Sequence, residues 1–121
     1  MATTKVNTVI WNDVTLTAGA GDTTSDTQNL ADGYGGTLYM KITNGATGPT
    51  VGAQIAVWYS PDGTNWYSRA GGYVSTLGNN VVTSWTVDVP IGVAYLRLVA
   101  GSNTVQNVTV RAELTEVSAV A

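Results

Sequence analysis

The sequence predicts an all-β protein: one antiparallel β-sandwich, jelly-roll-like, of about seven to nine short strands. Three observations predict it. Thr and Val supply 19 and 17 of the 121 residues, and both are stiff at χ1 and favour extended backbone. Apolar and polar side chains alternate with period two in segment after segment, and no helix-forming stretch carries a helical period. Clusters of Gly, Asn and Asp separate those segments at short intervals.

The elements follow in chain order. Val6, Thr8 and Ile10, then Val14, Leu16 and Ala18, predict two shorter strands around Asn12-Asp13. Leu38, Met40 and Ile42 alternate with Thr37, Tyr39, Lys41 and Thr43. Val51, Ala53, Ile55, Val57 and Tyr59 alternate with Gly52, Gln54, Ala56 and Trp58. Val81, Thr83, Trp85, Val87 and Val89 oppose Val82, Ser84, Thr86 and Asp88. After Pro90, the parity turns Ala94, Leu96 and Leu98 inward and Val93, Tyr95, Arg97 and Val99 outward. Finally Val108, Val110, Ala112 and Leu114 alternate with Asn107, Thr109, Arg111 and Glu113, giving a strand with one dry face. Turns are expected at 18–26, 32–36, 44–49, 71–72, 78–80 and 101–103, each with Gly or Asn able to take positive φ. A small closed barrel is the alternative, but the Thr, Asn and Ser of the outward faces favour the sandwich. Nothing in composition divides the chain, so 1–121 reads as one domain, with arm-like ends at 1–8 and 114–121.

Composition excludes much chemistry. There is no Cys and no His, hence no disulfide, thiolate nucleophile, Cys/His zinc site or His-based triad. Only 11% of residues are charged, with net charge −3, and five basic residues spread from Lys5 to Arg111 form no patch for phosphates. Nucleic acid is therefore not an expected partner. No long apolar run suggests a membrane span, and the Met-Ala-Thr-Thr-Lys start lacks a signal-peptide core. Synthesis in a cytoplasm is expected.

The most specific stretch is Trp58-Tyr59-Ser60-Pro61-Asp62-Gly63-Thr64-Asn65-Trp66-Tyr67-Ser68. Pro61 presets φ, Gly63 accepts the left-handed region, and Ser60 to Gly63 are expected to form a structural turn joining two strands. The Asp62 carboxylate and the Ser60 and Thr64 hydroxyls can bond nearby amides, and Trp58 and Trp66 can pack across the tip. The stretch resembles the Asp-box hairpin of sialidase propellers. Asp62 and Gly63 are adjacent here, however, where the Asp-box separates them by one residue.

Catalytic residues are not expected. A glycosidase needs two carboxylates about 5–10 Å apart, and the eight acids sit mostly in turns or on wet faces. No metal or cofactor is expected either: Asp22 and Asp26 share an oxygen-rich loop, but their spacing is not that of an EF-hand. The aromatics are more telling. With four Trp, six Tyr and no Phe, every ring carries a polar handle, which suits half-wet surfaces. Trp58, Trp66, Tyr67, Tyr95 and Arg97 are the candidates for an interface or ligand face, while Trp85 fills the sandwich.

Residues 28–114 resemble small structural proteins of tailed bacteriophages. The segments that carry the likeness are GYGGTLYMKITNGATGPT, VWYSPDGTNWYS and VDVPIGVAYLRLVAGSNTVQNVTVRAEL. The resemblance is strongest to head decoration (cement) proteins, and it extends to tail-associated β-sandwich modules. It implies a virion protein without enzymatic activity that binds the major capsid protein or other virion proteins on the exterior of a head. It also implies a homo-oligomer, a trimer being the favoured state, with one terminal arm on the shell or a neighbour. The alternative it implies is a tail or fibre module that binds host carbohydrate through exposed Trp and Tyr.

Overall fold

Where Val, Thr and Ile alternate longest, the strands are longest. The computed structural model describes residues 3–69 and 72–120. Among them lie ten strands and no helix: β1 (Thr3–Leu16), β2 (Thr23–Thr24), β3 (Gln28–Asn29), β4 (Gly36–Asn44) and β5 (Gln54–Ser60) come first. They are followed by β6 (Tyr67–Ser68), β7 (Tyr73–Val74), β8 (Val82–Val89), β9 (Tyr95–Gly101) and β10 (Val108–Val120).

All pairings are antiparallel, and they build two sheets. The first has the order β1-β10-β4-β8; the second runs β2-β9-β5-β6, with β3 also on β9 and β7 also on β5. Four strands have only two residues, which is why ten are found where the alternation predicts fewer. Taking β2 with β3, and β6 with β7, as single broken strands leaves four positions per layer. The chain then changes layer at every connection except the β5–β6 hairpin.

The core is what the alternation predicts for a sandwich. Leu38, Met40 and Ile42 of β4 and Val108, Val110, Ala112 and Leu114 of β10 meet Ala53, Ile55, Val57, Leu96, Leu98 and Ala100 from the other layer, all nearly solvent-free. Each fully buried Leu, Ile or Val contributes about 1.5–3 kcal/mol relative to exposure. Strand β10 is the spine of the first sheet, paired on one side to β1 and on the other to β4.

Three expectations are corrected. The two N-terminal strands are one continuous β1. Asp13 adopts a φ of 51°, and the register with β10 shifts on both sides of Trp11, so the extra residues are absorbed as irregularities and pairing resumes at Val14↔Val110. Trp11 and Leu16 are buried, whereas Val6 and the rest of residues 4–9 are exposed, because the second sheet does not cover that end. Val51 is exposed and holds only an isolated bridge to Thr104.

The expected arms pair with each other, from Thr3↔Val120 to Thr8↔Leu114, as a ribbon continuous with the first sheet. Met1, Ala2 and Ala121 lie outside the described residues, as does Gly71 of the expected 71–72 turn.

Candidate functional site

The β5–β6 connection is a hairpin whose tip is tied by its own side chains. The buried Ser60 hydroxyl accepts from the Gly63 amide at 2.8 Å and the Asp62 amide at 3.3 Å, and donates to Asp62 Oδ1 at 3.1 Å. Asp62 Oδ1 accepts from the amides of Thr64 and Asn65, both at 2.8 Å, and Oδ2 accepts from Asn65 Nδ2 at 2.7 Å. Donation by the Asn65 and Thr64 amides, in that order of weight, holds the Asp62 carboxyl far below the usual carboxylate range. Gly63 stands at φ 78°, and a Cβ there would lie 3.6 Å from the Tyr95 ring. The turn therefore carries Tyr95 against its backbone.

This rigid tip adjoins the outer face of the second sheet. Directly paired residues of an antiparallel sheet share a face. Trp58 pairs with Arg97 on one side and Ser68 on the other, and Ser60 pairs with Tyr95. Trp58, Arg97 and Tyr95 thus share the face that points away from the core. The Arg97 guanidinium carbon sits 4.2 Å from the centroid of the Trp66 ring, a cation–π stack. Arg97, not Trp58, covers Trp66. Arg97 Nε is buried and makes no hydrogen bond, so packing against the ring holds this guanidinium more than polar partners do.

Tyr67 is placed elsewhere. It pairs with Tyr59, so it belongs to the opposite face, at the sandwich edge, where it is 64% exposed. There it lines a cleft of about 170 Å³ with Tyr59, Pro61 and Val93. Burial pushes the Tyr59 phenol above its ordinary value. Four of the five candidate side chains therefore meet on one face, and the fifth does not. Trp85 packs edge-on against Tyr73, their centroids 5.7 Å apart.

A second concavity, which no motif signals, crosses the outer face of the first sheet. It measures about 250 Å³ and is lined by Tyr39, Lys41, Ser84, Thr86, Arg111 and Glu113. Parity alone puts Tyr39 and Lys41 on one face. The pairing that brings in the other four strand partners is long-range and cannot be read from local pattern.

Among the described residues no group of three or more His, Cys, Asp or Glu is placed to hold a metal ion. No helix there is long and apolar enough to cross a membrane. What the outer face of the second sheet offers is a fixed row of Trp, Arg and Tyr, the residue types that concentrate binding energy at protein interfaces.

No protein-family model matches the chain, and no curated protein matches it in sequence. Solved structures do match in fold. The VP2 subviral particle of infectious bursal disease virus is similar with a TM-score of 0.59 at 12% identity, over 94% of this chain and 32% of that one. The YomS protein derived from the SPBc2 prophage gives 0.54 at 16% identity, over 95% of this chain and 96% of that one. The enzymatically active domain of tailspike protein 4 of bacteriophage CBA120 gives 0.52 at 16% identity, over 92% of this chain and 17% of that one. The chain spans about a third of the length of the bursal disease virus proteins it resembles. At these identities the likeness is one of fold.

Proposed function

We propose that the protein is a non-enzymatic virion structural protein, a decoration or cement protein that binds the exterior of a phage head and stabilises it. The observation that carries this reading is the Trp66–Arg97 stack beside Trp58 and Tyr95, on a face the core does not use. Large rings and a guanidinium already held by packing lose little side-chain freedom on association. The likeness in fold to a viral particle protein and to a prophage-derived protein supports the setting. Strand order supports a jelly-roll reading, since the two layers are filled alternately as two Greek keys require. In this reading the chain acts as one unit in a homo-oligomer, most simply a trimer on a symmetry point of the shell. It is made in the host cytoplasm and carried on the virion.

The test is add-back to heads that lack the protein. The wild type is expected to co-sediment in many copies and raise the temperature at which heads open. Trp66→Ala and Arg97→Ala are each expected to lose at least about tenfold in occupancy, as for truncation of an interface anchor. Full occupancy by both variants would remove this face from the contact.

A second reading is a tail or fibre module that binds host polysaccharide on the same face, and the likeness in fold to a tailspike domain supports it. It predicts few copies per particle and a Trp fluorescence change on titration with host polysaccharide.

A further inference from the structure

The groove on the outer face of the first sheet is built as two rungs across three strands. On one rung Glu113 of β10 faces Tyr39 of β4, which faces Thr86 of β8. On the other, Arg111 faces Lys41, which faces Ser84. The second rung sets two cations side by side in a chain that has only five basic residues, an arrangement that is unfavourable without counter-charge.

A direct ion pair is provided to only one of them. Arg111 Nη1 donates to Asn12 Oδ1 at 2.6 Å and lies 3.5 Å from Asp13 Oδ2, while Nε lies 3.4 Å from Glu113 Oε2. Glu113 is also held by Asn7 Nδ2 at 3.2 Å. Among the described residues the ion pairs within 4 Å are Arg111–Asp13 and Arg111–Glu113. Neither includes Lys41. Lys41 feels the Glu113 carboxylate only through space, so its ammonium lines the groove without a direct ionic partner.

Its surroundings narrow the chemistry of an anion that would match it. Tyr39, two residues before Lys41 on the same strand face, is 45% exposed and offers an aromatic surface. Ser84 and Thr86 bring hydroxyls on one side, and Glu113 brings an acceptor on the other. A flat apolar face, a single carboxylate and several hydroxyls on one small ring would satisfy all of these at once. The volume, about 250 Å³, is just below the range of drug-sized sites and suits a ligand of one or two rings.

We propose that this groove binds an acidic saccharide, a uronic or other carboxylate-bearing sugar. The carboxylate pairs with Lys41, the sugar ring lies on Tyr39, and its hydroxyls bond Ser84, Thr86 and Glu113. Arg111 acts as a positioning residue, since its Nη1 and Nε are engaged by Asn12, Asp13 and Glu113 and it fixes the Glu113 acceptor. This site goes beyond the virion role and is independent of the face that carries Trp66 and Arg97.

The test is calorimetric titration of the full chain with trigalacturonate, triglucuronate and sialyllactose, against maltotriose and a Glu-Glu-Glu peptide. At least one acidic saccharide is expected to bind saturably. Lys41→Gln is expected to weaken it about tenfold, the loss of a charge-assisted pair, and Tyr39→Ala about fivefold. Both positions are exposed, and unchanged melting temperatures are expected to accompany the loss. No saturable binding by any of the three acidic saccharides overturns the proposal. So does equal binding of maltotriose or of the peptide, or a Lys41→Gln variant that binds unchanged.

Discussion

Asp62 and Val105 show how differently single residues serve this molecule. Asp62 is exposed, yet its carboxylate organises the hairpin tip through four hydrogen bonds. Because its folded-state value is depressed, its contribution is complete above the unfolded value, near 3.8, and drains away as pH falls below it. Asp62→Asn is therefore expected to melt below the wild type at about pH 6, with the gap narrowing steadily from about pH 4 down to about pH 2. A constant gap between the two melting curves across that range would sink the electrostatic account. Val105 stands at φ 74° and is 67% exposed. A left-handed conformation costs an L-residue about 1–2 kcal/mol, and a β-branched side chain is among the worst placed to adopt it. Val105→Gly is expected to stabilise the protein by about 0.5–1 kcal/mol after the entropy that glycine gives back. A lower melting temperature in that variant would show that the Val105 side chain contributes more than its exposure suggests.

At the scale of elements, alternation was a sufficient guide wherever a strand has neighbours on both sides. β4 lies between β10 and β8, and its buried positions Leu38, Met40 and Ile42 are the ones the parity assigns. A Leu38→Ala change there is expected to cost about 2–5 kcal/mol, while Thr37→Ala, on the outer face next to it, is expected to stay within about 0.5 kcal/mol. Chemical denaturation of the two variants checks the contrast, and similar midpoints would mean that the parity does not report burial. Local pattern failed where strands are irregular or short. The Asn12-Asp13 pair looks like a turn because both residues tolerate positive φ, and the chain uses that tolerance for an irregularity inside β1 instead. The dipeptide strands β2, β3, β6 and β7 are too short to carry a period at all. The same distinction governs the candidate face. Trp58 and Arg97 could be assigned outward by parity, each on its own strand. Their direct pairing, the Trp66 stack and the placement of Tyr67 on the other side depend on the register of β5 with β9 and β6, which is set by long-range packing.

For the whole molecule, the pairing of the two ends is the part least explained by folding alone: β10 keeps β4 as a second neighbour as far as Glu116, and beyond it Val117–Val120 and Thr3–Lys5 form a two-stranded ribbon. Isolated two-stranded ribbons are marginal in water. Here residues 4–9 of β1 are exposed throughout, including Val6 at 47% and Val9 at 44%, and among the described residues β1 has no partner on its outer edge. In the proposed homo-oligomer these apolar side chains and this free edge lie against a neighbouring subunit or the shell. The structure dictates how that idea must be tested. Removing 114–121 would also remove Leu114, which is 2% exposed and part of the core, so loss of function in that variant would follow from unfolding. Removing 1–8 spares Trp11 and Leu16, and a cut after Glu116 spares Leu114 while deleting the C-terminal strand of the two-stranded ribbon. Both of these truncations are expected to keep a cooperative melt, to sediment as smaller species than the wild type, and to lose occupancy on heads. If both keep the wild-type sedimentation coefficient and occupancy, the ribbon is not the contact, and assembly must run through the Trp66–Arg97 face alone.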